Sequence, residues 1–256
     1  MSNIHKKFGL SLFASVSAAA LTPATFAQDA TSDTPVLEEI IVTAQKRAQS
    51  AQDVPVSVAA VSGEKLDVLK SAGADIRFLS SRVPSLTVES SFGRTFPRFY
   101  IRGLGNTDFD FNASQPVSLV YDEVVYENPI LKGFPVFDLE RIEVLRGPQG
   151  TLFGRNTPAG IVKFDSAKPS HDADGYVKAA YGRFNAVQLE GAFGGSIIDD
   201  VLAARVSAVY LRRDDFVDNT FTGEEDDLEG YDEFAARAQF LYTPGDNFTA
   251  LLHIHG

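Results

Sequence analysis

The sequence predicts an α+β domain followed by the first antiparallel strands of an incomplete transmembrane β-barrel. Three observations predict it. Residues 54–168 mix short apolar strand runs with two capped helical segments, enough for one compact core. After Pro169 the chain changes to longer runs in which apolar and polar residues alternate, with no helical period. The N-terminus carries an export signal, and no other apolar stretch approaches the length of a spanning helix, so entry into a membrane would be by strands.

Residues 1–27 have the three parts of a secretory signal peptide: Lys6 and Lys7, an apolar run from Phe8 to Leu21, and the small-residue site Thr25-Phe26-Ala27. About 14 apolar residues fall short of the roughly 20 that a hydrocarbon core demands, so the mature chain is expected to begin near Gln28. Cysteine is absent, which leaves neither a disulfide framework nor thiol redox chemistry. Loss of the signal removes two of the 23 Lys and Arg residues and none of the 34 Asp and Glu, taking the net charge from −11 to −13. Such a chain is not a general nucleic-acid binder.

Residues 28–53 read as a leader: Gln28 to Thr34 is small, polar and aperiodic. Glu38 to Ala44 (EEIIVTA) is β-prone, and reads as an edge strand or as an extended segment able to add itself to a partner's sheet. Gln45 to Asp53 would then be a tether. Val54 to Val58 alternates as a strand; Ser62 caps a helix with Leu66 and Leu69 on one side, ending at Gly73. Asp75 caps a second short helix, with Ile76 and Leu79 three apart and an end before Pro84. Leu86–Val88, Phe99–Ile101 and Val117–Tyr126 follow as strands. Between them, Phe92–Phe96 and residues 105–115 (GNTDFDFNASQ) are loops in which aromatics stand beside Asn and Asp.

Residues 141–160 (RIEVLRGPQGTLFGRNTPAG) crowd four glycines, two prolines and three arginines between two strand-like runs. The spacing excludes a phosphate loop: Gly150 and Gly154 enclose three residues and are followed by Arg155 and Asn156. Gly103-Leu104-Gly105 opens no helical stripe, so a dinucleotide fingerprint is absent too.

Arg146, Gly147, Pro148, Gln149, Gly150, Gly154, Arg155 and Asn156 closely resemble the signature loop of the plug domain of TonB-dependent outer-membrane receptors, and Tyr100-Ile101-Arg102-Gly103 fits the same family. The resemblance implies a plug over 54–168. It makes Glu39, Ile40, Ile41, Val42, Thr43 and Ala44 the TonB box, and it turns Arg94, Phe96, Asn106, Phe109 and Phe111 toward an external ligand. The other reading of those loops is a polar surface with Phe109 and Phe111 tucked beneath. Where the family usually has an Asp-Gly turn, this chain has Tyr121-Asp122-Glu123-Val124, and glutamate is expected to resist the positive φ of a tight turn.

Four strands and the start of a fifth follow Lys168. Tyr176–Phe184 pairs with Val187–Ile197; Val201–Arg213 comes next, with Leu202, Ala204, Val206, Ala208 and Tyr210 on one face and Arg205 and Ser207 on the other. Phe234, Ala236, Ala238, Phe240 and Tyr242 likewise oppose Arg237 and Gln239. One face would meet lipid and the other the lumen; Tyr242 and Phe248 sit where an interfacial aromatic girdle belongs. The loop 214–233 holds ten acidic residues and no basic one. Glu224 to Asp227 offer carboxylates to a hard cation, but without EF-hand spacing the loop reads as solvated and no metal site is assigned. His253 and His255 share a face as lumen-facing polar residues rather than metal ligands.

Five strands cannot close a barrel, whereas the family's barrels have about 22, so the chain reads as the front part of a longer receptor. The resemblance implies a protein of the cell outer membrane that is not an enzyme and needs no cofactor. Its partners would be TonB, outer-membrane lipid and a scarce small ligand, with ferric siderophores the family's commonest cargo. The rival expectation is a truncated, non-transporting periplasmic protein whose plug binds TonB or ligand without a pore.

Overall fold

The computed structural model describes residues 40–70, 75–80, 82–108, 110 and 112–256; the signal peptide 1–27, the leader to Glu39, the helix end at Gly73, and Phe109 and Phe111 lie outside the described residues. In the first half, short β-branched runs make short strands. β1 (Ile41–Val42) pairs antiparallel with β2 (Gln49–Ser50). β3 (Ser57–Ser62) leads into α1 (Gly63–Lys70). The strand expected from Val54 starts later because Pro55 has no N–H to give a ladder. Asp75 accepts the Arg77 N–H at 2.8 Å and opens a single 3-10 turn, Ile76–Leu79, in place of the expected second helix.

β4 (Leu86–Glu89) and β5 (Arg98–Ile101) form a hairpin, and β6 (Val117–Tyr121) turns into β7 (Val124–Tyr126). After a 3-10 turn at Pro129–Lys132 come β8 (Leu139–Arg146), the one-turn α2 (Gly150–Phe153) and β9 (Gly160–Ser166). The central sheet has the order β3-β8-β9-β6-β7, antiparallel except between β6 and β9. Alternation splits its side chains between two cores. Leu119, Val144 and Val162 pack on one face with Leu66, Leu79 and Phe164, while Val120, Leu145 and Ile161 pack on the other with Val42, Ala44 and Phe153.

The β6–β7 turn is tight despite its glutamate: Asp122 and Glu123 have φ of 45° and 70°. Left-handed backbone costs an L residue about 1–2 kcal/mol. Polar contacts offset it here. Asp122 accepts the Ser166 N–H at 2.8 Å and the Ser166 hydroxyl, and the Glu123 carboxylate lies 3.1 Å from Lys163 Nζ.

The second half is an antiparallel sheet of β10 (Asp174–Gly182), β11 (Ala186–Ile198), β12 (Leu202–Arg213), β15 (Tyr231–Gly245) and β16 (Phe248–His255), in that order. The loop 214–233, expected to be long and solvated, contains a hairpin of β13 (Val217–Asn219) and β14 (Glu224–Leu228). The polarity of the large sheet is inverted relative to a soluble one. Phe193, Val206, Ala238 and Ile254 stand side by side across four strands, and all but Ala238 are strongly exposed large apolar residues. The neighbouring row of Arg205 and Gln239 is buried on the inner face, as are Ser207, Arg237 and Glu190. Edge strands β10 and β16 do not pair with each other, so the sheet is an open arc of barrel wall.

One glycine is fixed by contact as well as conformation. Gly160 has φ of 144°, and a Cβ there would lie 2.1 Å from the Leu145 carbonyl oxygen and 3.0 Å from Ile101 Cδ1. Because the oxygen belongs to a paired central strand, it cannot give way cheaply. Gly160→Ala should therefore cost about 1–3 kcal/mol or more, seen as a lowered urea midpoint for loss of the central sheet.

Candidate functional site

Three arrangements carry the site: a held N-terminal segment, a signature loop, and a buried ionic contact between the globular part and the wall. The first departs from expectation. Ile40 and Ile41 are exposed, but Val42 and Ala44 are completely buried, and residues 45–53 are a paired turn against the sheet rather than a free tether. Burial follows from alternation: Val42 and Ala44 point into the core formed by Leu145, Phe153 and Ile161.

Between them, Thr43 enters a cage of charge. Its N–H donates to Glu143 Oε1 at 2.6 Å, and its hydroxyl accepts from Lys163 Nζ at 2.6 Å. Lys163 also reaches Asp165 at 2.8 Å, and Arg141 Nε lies 3.1 Å from Glu143 and 3.0 Å from Asp165. Lys46 closes the turn at 3.9 Å from Glu123 and 5.4 Å over the Phe153 ring. Burial pushes the Glu143 carboxyl up and Asp165 adds to it, against the Thr43 N–H, Lys163 and Arg141. Burial works the other way on Lys163, yet its carboxylate partners Asp165 and Glu123 outweigh it and raise the amine. An open cleft of about 710 Å³ lies beside the cage, bordered by Lys46, Arg47, Asp122 and His253.

The signature loop is built on its own backbone. Gly147, at φ of 98°, donates its N–H to the Ala159 carbonyl at 2.9 Å, and Gln149 N–H donates to Thr157 at 3.2 Å. Pro148 intervenes without an N–H, Gly150 starts the α2 turn, and Gly154 ends it at φ of 79°. Arg146 donates to the Pro84 carbonyl and the Ser57 hydroxyl. Arg155 and Asn156 converge on Glu127 Oε2 at 2.9 and 3.0 Å. These bonds of Gly147, Gln149, Arg146 and Asn156 hold the loop's shape.

The third arrangement centres on Asp138, just before β8. Arg205 of β12 makes two parallel hydrogen bonds to its carboxylate, at 2.7 and 2.9 Å, and Arg237 of β15 approaches at 3.3 Å. Arg237 also donates to the Asp138 carbonyl at 2.8 Å and to the Tyr121 hydroxyl at 2.5 Å. The Asp138 N–H donates to Glu190 of β11 at 3.0 Å. All three of Asp138, Arg205 and Arg237 are buried. Burial alone would raise the Asp138 carboxyl, but Arg205, with Arg237 and Ser207, outweighs it and holds it below the usual carboxylate range.

Residues 50–161 match the family model of the TonB-dependent receptor plug domain. That stretch of the chain is a match to a TonB-dependent receptor plug. It is similar to the pesticin receptor of Yersinia pestis, 27% identical over 208 residues that make 81% of this chain and 30% of that protein. It is also similar to the ferrioxamine B receptor of Salmonella typhimurium, at 29% over 203 residues, 77% of this chain and 27% of that one. Among solved structures, the ferric yersiniabactin uptake receptor FyuA of Yersinia pestis aligns over 74% of this chain and 29% of its own, with TM-score 0.67 and 24% identity. The pyoverdine receptor FpvA of Pseudomonas aeruginosa aligns over 84% and 27%, also with TM-score 0.67 and at 18% identity. The chain thus spans about three tenths of the length of the curated relatives it matches. These relatives are named as receptors, and the structural match extends beyond the plug match of residues 50–161.

Of the residues expected to face a ligand, Arg94, Phe96 and Asn106 are described, and each makes contacts within the protein. Arg94 is a brace, not a free ligand-facing head: it pairs with Glu233 at 2.5 Å, lies 3.6 Å from Asp75, and stacks 4.0 Å over Tyr231. Phe96 is buried against Phe92, which is the exposed ring of that pair. Asn106 holds its own loop, donating to the Ser114 carbonyl and accepting the Asp108 N–H, both at 2.9 Å. His253 and His255 do face inward, the first 3.5 Å from Asp122 and the second 3.3 Å from the Tyr126 hydroxyl. Asp138, Glu143, Lys163, Asp165 and Glu190 are among the site residues that sequence reasoning missed. The available signal was two arginines, Arg205 and Arg237, at inward positions of alternating strands, which need a buried carboxylate opposite them.

Two outcomes follow. In this cysteine-free chain, Ala44→Cys reports release of the N-terminal segment. Exchanging the charged acceptor for a neutral one with Glu143→Gln should weaken the hold by about 1–1.5 kcal/mol and raise maleimide labelling at position 44 about tenfold. Asp138 has a folded pKa below its unfolded one, so its contribution is complete above the ordinary carboxylate range and is lost as pH falls through the folded value. Asp138→Asn should cost about 3 kcal/mol at neutral pH and abolish that part of the acid dependence, read from urea midpoints across pH.

Proposed function

We propose that this chain supplies the coupling segment, the plug and the first wall strands of an active outer-membrane importer. The observation that carries the reading is the inverted sheet: Val177, Phe193, Val206 and Phe234 stand outward for hydrocarbon, while Arg205 and Arg237 stand inward and are neutralised by the plug. A water-soluble periplasmic protein would leave that apolar face uncovered. Export by the signal in residues 1–27 delivers the chain, and the remaining wall would come from the rest of a longer polypeptide.

The ligand is a scarce small molecule taken from outside, with a ferric siderophore first among candidates because related receptors are named for ferrioxamine B and ferric yersiniabactin. TonB would take hold of residues 39–44 from the periplasm by adding a strand to its own sheet, and pulling would rearrange the plug. The burial of Val42 and Ala44, with the hydrogen-bonded hold on Thr43 between them, makes this a two-step event, release first and pairing second. No hydrolysis is asked of the chain.

The test is uptake of radioiron-labelled ferrioxamine B, yersiniabactin and pyoverdine by cells carrying the complete gene. Thr43→Pro removes the N–H that Glu143 accepts and the donor that strand addition would use, so energised uptake should fall at least tenfold while surface binding of the same complexes persists. Unchanged uptake would remove coupling through this segment.

A further inference from the structure

The plug meets the wall through contacts of very unequal strength, and that inequality bears on how a passage could open. Asp138 is held by three adjacent wall strands at once: its carboxylate by Arg205 of β12 and Arg237 of β15, its N–H by Glu190 of β11. Arg205 is held in place by Asp174 of β10 at 2.8 Å, and Glu190 by the Tyr176 hydroxyl at 2.7 Å. Beside them Phe137 packs into a buried cluster with Val209, Leu211 and Ala235 of the wall. The contacts with β16 are looser: Tyr126 to His255 at 3.3 Å and Asp122 to His253 at 3.5 Å.

Withdrawing Asp138 would break its paired bonds to Arg205, its contact with Arg237 and its N–H bond to Glu190 together. Separating the histidine contacts breaks single, long polar contacts at partly exposed groups. The connection to the pulled segment also matters. Asp138 precedes β8, which carries Glu143 and therefore bears load from Thr43, and the Asp138 carbonyl accepts the Ala167 N–H just beyond β9, the strand that carries Lys163. Load applied at Thr43 thus runs along β8 and β9 to the Asp138 end.

We infer that Asp138 and Phe137 are a fixed clamp that holds the plug to β11, β12 and β15 throughout transport, so that the passage opens away from this wall. This rests on the importer reading. It makes Asp138 a positioning residue, acting through the two arginines and not on the cargo, and it excludes exit of the whole plug from the barrel.

The absence of native cysteine permits a direct test in the full-length receptor. Phe137→Cys with Ala235→Cys is joined in cells by a short, reducible bis-methanethiosulfonate, with yield read by peptide mass spectrometry, and radioiron uptake is compared before and after reduction. Uptake in the joined form within twofold of the reduced form is expected; a tenfold loss restored by reductant overturns the clamp. Hydrogen exchange on the unmodified purified receptor decides independently of cargo. The Asp138 amide should exchange at least a hundredfold more slowly than that of Thr43 in sub-denaturing urea, and equal rates overturn the clamp. If no variant imports any complex while that difference holds, the importer reading falls and the clamp stands as an attachment.

Discussion

The structure depends on one buried carboxylate between two buried arginines. A sheet that turns Phe193, Val206 and Phe234 outward must turn its polar positions inward, and Arg205 and Arg237 are therefore committed to a space closed off from bulk water. Neither cation is tolerable there alone. Asp138 resolves both at once, and because it sits at the start of β8 it fixes the register of the whole central sheet against the wall. The plug is thus the charge complement of the wall's inner face, and the wall is what permits the plug to bury an aspartate.

What was legible in the sequence follows the range of the physics. Alternation is local, so the wall strands, their two faces and the inward place of Arg205, Ser207, Arg237 and Gln239 could be read directly. The glycine and proline pattern of residues 141–160 could be read too, because Gly147, Gly154 and Pro148 constrain their own backbone. Asp138 could not. A single aspartate between Phe137 and Leu139 looks like loop polarity, and its arginine partners lie 67 and 99 residues further on. The surroundings of Arg94 and Phe96 were not legible for a related reason: Glu233, Asp75 and Tyr231 come from other segments to hold Arg94, and Phe96 is buried beside Phe92.

Local preference was also overridden where a side chain had a second use. At the β6–β7 turn the backbone wants glycine, yet Glu123 accepts the left-handed conformation and puts its carboxylate beside Lys163 and Lys46. Glycine there would relieve the backbone and leave the buried Lys163 with one acidic partner fewer. The turn residue is therefore part of the cage around Thr43, which joins the geometry of a hairpin to the hold on the N-terminal segment.

That hold bears on the proposed coupling. Strand addition needs free backbone donors, and the Thr43 N–H, central to the segment, is already given to Glu143. Val42 and Ala44 on either side are buried, so a partner cannot pair with the segment as it stands. Binding must therefore compete with the cage, and the apparent affinity falls by the fraction of molecules in which the segment is out; a released fraction of about 1% weakens it about a hundredfold. A receptor with such a cage resists engagement at rest, and any event that weakens the contacts of Glu143 or Lys163 raises the partner's affinity in proportion. Because both residues lie on β8 and β9, the strands that end at the Asp138 clamp, the hold on the segment and the attachment to the wall are read through the same two strands.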